Sequence, residues 1–428
     1  MPFNILVESN CNKKCSYCFG REISETSTQQ RISVKAFREL VDSISKDGIT
    51  SVGVTGGEPT VHPEILELVD VALSAGLKAV IKTNGLWDKT FRQELTRRHP
   101  DCLAYLISIL PQQDYHQTEW ATLLSTLGSI PAASLTLGIT LSSPDFYYDH
   151  LLEAVRVSGA KRVRWSLAHP IAGELSSTIT FVPILEYRQY SERIVRMVED
   201  LSKYGVECIG DHCSILCMWT DDQLGRIVRA GGSIVTTCEP TVDFLPDKKA
   251  VFCLPMSSVA NVSLEDIGGP GRAVAYFDRI ADILKRHNLP FEECGDCVHF
   301  TTNRCHGGCL AHRQWGDGII GATLKTWSVK EDGSKVFRFR ENIIIGKYQA
   351  INGNEEEILV SDTQSNLTFQ ASEDLLTLAH LFDGRTTISE CIQIMANNIE
   401  GIEAEDLQDE VDQFLFTAWM HNLLEEVL

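Results

Sequence analysis

FNILVESNCNKKCSYC, residues 3–18, is an apolar run of strand character that opens directly into a loop carrying Cys11, Cys15 and Cys18 in the spacing C-x3-C-x2-C. The run is the first of a series. SVGVTGG (51–57), KAVIKTNG (78–85), AYLISIL (104–110), SLTLGITL (134–141) and VRWSLAHP (163–170) are β-rich in the same way, and helical patterns follow at 33–47, 62–76, 88–98, 116–127, 147–158 and 184–204. Strand then helix, six times over, predicts an α/β fold: a parallel sheet, helices outside, and right-handed crossovers that curl it into a partial (β/α)6 TIM-like barrel. In such a barrel the loops after the strands carry the chemistry, and the cysteines stand in the first of them.

From 206 to 328 this periodicity breaks down and cysteines become dense, the composition of a segment held by metal clusters rather than by a large apolar core. Residues 329–428 read as strands (VFRFR, NIIIGKYQAI, EEILVS, LTFQA) and then helices at 373–382, 387–398 and 404–424, a winged-helix-like α+β domain. Leu407, Val411, Phe414, Ala418 and Met420 to Leu424 recur at helical spacing as a buried stripe. The expected domains are therefore 1–205, 206–328 and 329–428.

The chain has 428 residues, 43% of them hydrophobic, enough for two or three cores. Its opening residues lack a signal peptide, and no later run reaches the roughly 18 apolar residues of a membrane span, so a cytoplasmic protein without membrane contact is expected. A formal charge of −20 argues against nucleic-acid partners, which need clustered Lys and Arg. Fourteen cysteines in that compartment point to metal or redox chemistry rather than to disulfides.

Three thiolates from one loop leave one iron of a four-iron cluster without a protein ligand, open to a chelating amino acid. A zinc knuckle lacking a ligand is the plainer alternative. The spacing, with Tyr17 just before the third cysteine, resembles the radical S-adenosylmethionine (SAM) superfamily. So does Gly56-Gly57-Glu58-Pro59-Thr60 after the second strand, which alone would be only a turn. The resemblance implies a 4Fe-4S cluster on Cys11, Cys15 and Cys18. It also implies SAM held by Gly56, Gly57, Glu58, Pro59 and Thr60, with the amino group received there. Thr83, Asn84, Ser108 and Thr140 (or Ser142) would flank the methionine and ribose, and Tyr17 and Leu167 to His169 the adenine. An electron from a flavodoxin- or ferredoxin-type donor would split SAM and yield a 5′-deoxyadenosyl radical.

Downstream, Cys294-x2-Cys297-x7-Cys305-x3-Cys309 and Cys238-x14-Cys253 resemble the SPASM/twitch extension, which carries one or two auxiliary 4Fe-4S clusters. This chain departs from that pattern: seven residues stand where five are usual, and a last cysteine is missing. Cys213 and Cys217 bring the count to eight, enough for two clusters. One full cluster, or a zinc ribbon of Cys294, Cys297, Cys305 and Cys309, remains open. Cys102, Cys208 and Cys391 read as buried small hydrophobes. The C-terminal domain resembles, in its order of elements, the PqqD-like domains that bind leader peptides, which implies a precursor-peptide partner and a crosslinked, oxidised or epimerised product. A small metabolite or folded protein is the alternative substrate, and an iron–sulfur electron-transfer or peptide-binding protein the alternative class.

Overall fold

The computed structural model describes residues 3–20, 29–98, 103–172, 179–211, 213–286 and 289–313, then 334, 336–341, 343–349, 356–362, 367–371, 380–398 and positions 404, 407–408, 411, 414–415 and 423–427. The chain divides into two compact units, Met1–Gly316 and Asp317–Leu428.

In the first unit β1 (Phe3–Glu8), β2 (Ser51–Gly56), β3 (Lys78–Thr83), β4 (Leu103–Ile109), β5 (Leu135–Leu141) and β6 (Arg162–Leu167) pair in sequence order, all parallel. Helices α1 (Val34–Lys46), α2 (Ile65–Ser74), α3 (Lys89–Arg98), α4 (Gln117–Leu127), α5 (Asp149–Ser158) and α6 (Tyr187–Ser202) follow them one for one. The first crossover shows why. Ser33 caps α1 by accepting from the Ala36 N–H, and Phe37, Val41 and Ile44 recur on one buried stripe. On β5 and β6, Leu135, Leu137, Ile139, Leu141, Val163, Trp165 and Leu167 are buried. The alternate residues Thr136, Gly138, Thr140, Arg164 and Ser166 keep solvent access on the other face, so the concave side stays open. This is the partial TIM-like barrel that the strand–helix alternation predicts.

The sheet does not stop at residue 205. β7 (Glu207–Gly210) pairs with β6, and, after α7 (Asp221–Arg229), β8 (Gly232–Ile234) pairs with β7, both parallel. At the other edge β9 (Asp243–Phe244) lies parallel to β1 and leads into an antiparallel hairpin of β10 (Lys249–Val251) and β11 (Asn261–Ser263), followed by α8 (Ala273–Arg286). The cysteine-dense segment up to 316 thus extends the barrel sheet at both edges and shares its compact unit, where a separate domain is the sequence expectation. Strands of two to four residues are too short to register as a period. A buried bond from Asn4 Nδ2 to Asp243 Oδ1 (2.6 Å) fastens β9 to β1.

In the second unit β12 (Val336–Phe339) lies between β16 (Asp383–Thr387) and β17 (Leu424–Glu426), while β13 (Ile343–Gln349), β14 (Glu356–Asp362) and β15 (Leu367–Ala371) form an antiparallel sheet. Thr387 and Glu390 make a capping box for α9 (Ile388–Asn398). Phe337, Val360, Phe382, Cys391, Leu407, Val411 and Leu415 share one core, with Phe414 packed against it, as the stripe predicts; Ala418 and Met420 lie outside the described residues. The helical reading through 424 is corrected at its end, because Leu424–Glu426 pairs with β12 as a strand. No helix among the described residues is long and apolar enough to cross a membrane.

Candidate active site

The loop after β1 starts from a fixed point. Glu8, fully buried, accepts from the Asn10 N–H (2.9 Å) and Asn10 Nδ2 (2.7 Å) and takes an ion pair from Arg31. Beyond it Cys11, Cys15 and Cys18 are free thiols, the first exposed and the others half-buried. The Cys18 N–H closes a turn on the Cys15 carbonyl (3.2 Å), and Lys13 N–H points at Cys11 Sγ (3.4 Å). Burial pushes the Cys15 thiol up to about 11, helped by the charges of Cys18 and Cys11. Burial likewise raises Cys11. The three sulfurs are thus electrostatic neighbours. Tyr17 is raised by burial and then by Cys15, which puts its ring beside the sulfurs.

Lys13, which the sequence reading passes over, anchors this loop. Its ammonium donates to the Asp114 carbonyl (2.6 Å) and Glu119 Oε2 (2.9 Å) and lies over the Tyr115 ring (5.5 Å). A pair of cations, Lys13 and Lys14, between two cysteines is the available signal. Lys13→Ala removes two charge-assisted bonds, each contributing about 1.5–3 kcal/mol. Faster loss of iron from this loop to a chelator is expected, followed by absorbance.

The GGEPT segment packs on that loop. Gly57 N–H donates to the Glu8 carbonyl (2.7 Å) and Glu58 N–H to the Asn10 carbonyl (2.9 Å). A Cβ at Gly56, whose φ is +155°, would stand 2.1 Å from Glu8 O, and one at Gly57 2.5 Å from Ser9 O. Both glycines are therefore required by the close approach of two backbones. Glu58, 1% exposed, binds inside the chain: Oε1 accepts from Thr60 N–H (3.1 Å), Thr60 Oγ1 (2.6 Å) and Thr83 Oγ1 (2.7 Å), and Oε2 from Asn84 N–H (2.8 Å). Burial raises this carboxyl and the four bonds pull it back. Pro59 is buried at the start of the following turn. The reading in which Glu58 takes a ligand ammonium thus meets a carboxylate already engaged by protein donors, and what the segment offers a ligand is backbone. Asn84 Nδ2 donates to Asn12 Oδ1 (2.6 Å), so the ends of β2 and β3 are tied to the cysteine loop. Ser108 on β4 is exposed and Thr140 on β5 half-buried, and among the described residues their hydroxyls make no hydrogen bond with these segments. His169 faces the Tyr187 hydroxyl (3.3 Å), which also meets His312 Nε2 (2.9 Å).

The eight downstream cysteines sort into two groups of four. Cys213 is raised by its neighbours Cys238 and Cys309 and in turn lowers Cys238, and Cys253 is raised by burial and then by Cys309 and Cys238. Cys294 is raised by burial and then by Cys217, Cys297 and Cys305, and Cys217 by burial and then by Cys305 and Cys297. Cys309 therefore parts from Cys294, Cys297 and Cys305, and the four do not meet as a zinc ribbon would need. Among the described residues no three His, Cys, Asp or Glu are placed to hold a single metal ion. Ligands on separate corners of a four-iron cube stand further apart than those on one ion, and three free thiols in one loop and two groups of four suit that geometry. Cys208 and Cys391 are fully buried, and burial pushes them to about 12 and 11; Cys102 lies outside the described residues.

Residues 5–106, from β1 through the cysteine loop, GGEPT and Asn84 into β4, match the model of the radical SAM superfamily. This stretch of the chain is similar to a radical SAM domain. Over 84 residues it is 40% identical to GTP 3′,8-cyclase of Chlorobaculum tepidum, covering 19% of this chain and 25% of that protein. Over 111 residues it is 27% identical to the subtilosin biosynthesis protein AlbA of Bacillus subtilis, covering 26% of this chain and 24% of that one. The chain thus spans about a quarter of the length of these curated relatives. In fold, 74% of the chain aligns with 75% of SuiB of Streptococcus suis, solved with its precursor peptide SuiA, at a TM-score of 0.52 and 13% identity. That likeness extends the shared fold well past the radical SAM domain.

Proposed function

We propose that this chain is a radical SAM enzyme that modifies a ribosomally made precursor peptide, with one 4Fe-4S cluster on Cys11, Cys15 and Cys18 and two auxiliary ones on Cys213/Cys238/Cys253/Cys309 and Cys217/Cys294/Cys297/Cys305. The observation that carries it is the joining of the cysteine loop to GGEPT and Asn84 through Gly57, Glu58 and Asn12. Cys11, Cys15 and Cys18 would hold a cluster whose chemistry is the reductive cleavage of SAM, which would supply a carbon radical able to take hydrogen from a substrate C–H bond. The protein's share is placement. Three thiols would hold the iron, the 56–60 backbone lies against their loop, and the solvent-accessible face with Thr140, Arg164 and Ser166 would receive the substrate.

The peptide reading is supported by AlbA, named for subtilosin biosynthesis, and by SuiB, solved with a precursor peptide. The second unit, PqqD-like in this reading, would hold the leader as a strand added to an edge of the β13–β14–β15 sheet. From 341 onward its only cations are Lys347 and Arg385, which suits a basic leader. The likeness to GTP 3′,8-cyclase favours a small-molecule substrate instead, but it is confined to 84 residues.

The test is anaerobic incubation with SAM and dithionite, read as 5′-deoxyadenosine. Coexpression with a short neighbouring reading frame then follows, where mass spectrometry separates loss of two hydrogens from solvent deuterium uptake. An inert peptide alongside turnover on a metabolite would replace the peptide reading. Gly57→Ala should cut SAM affinity at least tenfold, about 1.4 kcal/mol, in equilibrium dialysis, because the new methyl group pushes the loop away from GGEPT.

A further inference from the structure

Arg313 stands between the two groups of four cysteines. It follows Cys309 by one short turn, Leu310–His312, and is only 6% exposed. Three backbone carbonyls fix its guanidinium. Nη1 donates to Leu284 O (2.9 Å) and Lys285 O (3.1 Å) in the last turn of α8, and Nη2 donates to His306 O (2.8 Å). His306 is itself a joint. It follows Cys305 of one group, and its Nδ1 accepts from the backbone N–H of Cys238 of the other (2.8 Å). The Arg313 charge accordingly acts on Cys238 and Cys309 on one side and on Cys294 on the other.

A guanidinium keeps its proton in a protein, so this is a permanent positive charge taken out of water, and such a charge needs anionic company. Reducing a 4Fe-4S cluster adds one electron, hence one negative charge, without a proton. A fixed cation beside it favours the reduced form, more strongly in a buried setting. We propose that Arg313 is a positioning residue that raises the reduction potentials of both auxiliary clusters, so that each accepts an electron more readily. The inference rests on the two-auxiliary-cluster reading above. The Lys285 charge also acts on Cys238 and should tune that cluster.

The experiment is a potentiometric titration of the full-length reconstituted protein with dithionite, followed by EPR, in wild type, Arg313→Gln, Arg313→Lys and Lys285→Gln. At the wild-type midpoint, Arg313→Gln with full iron content should lower the reduced-to-oxidised ratio of both auxiliary clusters about tenfold, ~59 mV for one electron. Arg313→Lys should stay near wild type, Lys285→Gln should move the Cys238 cluster, and the cluster on Cys11, Cys15 and Cys18 should hold still as an internal reference. The proposal is overturned if Arg313→Gln leaves both ratios unchanged, or if Arg313→Lys shifts them as far, which would make the side chain a hydrogen-bonding clamp. Should Arg313→Gln lose iron, the other two variants decide: a displaced lysine variant or an unmoved Lys285→Gln counts against it. Wild-type protein with only about eight irons or fewer would instead fail the two-cluster reading.

Discussion

Alanine at Cys11, Cys15 and Cys18 together is expected to reduce 5′-deoxyadenosine formation to background and to remove about four irons from the anaerobic protein, leaving about eight. The effect is large because the three thiols come from one loop. Burial and the charges of Cys18 and Cys11 push the Cys15 thiol up to about 11, so binding iron there displaces its proton. Iron content, sulfide content and product chromatography on the same preparation check it, with Cys208→Ala, a core thiol, as control. Undiminished SAM cleavage in the triple variant would remove the functional proposal altogether.

Cys217→Ser should have the second largest effect, removing or crippling one auxiliary cluster and sparing the other. In the proposed two-cluster reading Cys217 would stand in for the missing last cysteine of the SPASM pattern, since its electrostatic neighbours are Cys305 and Cys297, and Cys294 in turn feels it. Cys213, four residues earlier, belongs to the other set through Cys238 and Cys309. Cys217→Ser and Cys213→Ser should therefore lose different EPR signals, each with up to about four irons. Identical losses would mean that one site uses both residues.

The barrel was legible because its strands are six or seven residues long and its helices carry clear apolar stripes, as α1 does with Phe37, Val41 and Ile44. β7 to β11 escaped notice since two to four residues carry no period. In the second unit DGRTT, residues 383–387, has turn chemistry and becomes a strand only because β12 pairs with it. At the site, spacing pointed to the cysteine loop and GGEPT, but not to how they interlock. That Glu58 bonds Thr60, Thr83 and Asn84 follows from strand register. The sorting of the eight cysteines was hidden for a simpler reason. Cys213 and Cys217, like Cys305 and Cys309, are close in sequence yet diverge to different sites, one turn of backbone being enough to point them apart.

The sheet of the first unit closes off at both ends in three-residue strands, Gly232–Ile234 and Asn261–Ser263. A strand that short offers a second molecule almost no ladder of amides on which to zip, the hazard that long, flat borders carry. During anaerobic refolding at high concentration, clumping through this sheet should accordingly be slow, and turbidity should track cluster loss rather than time spent folded.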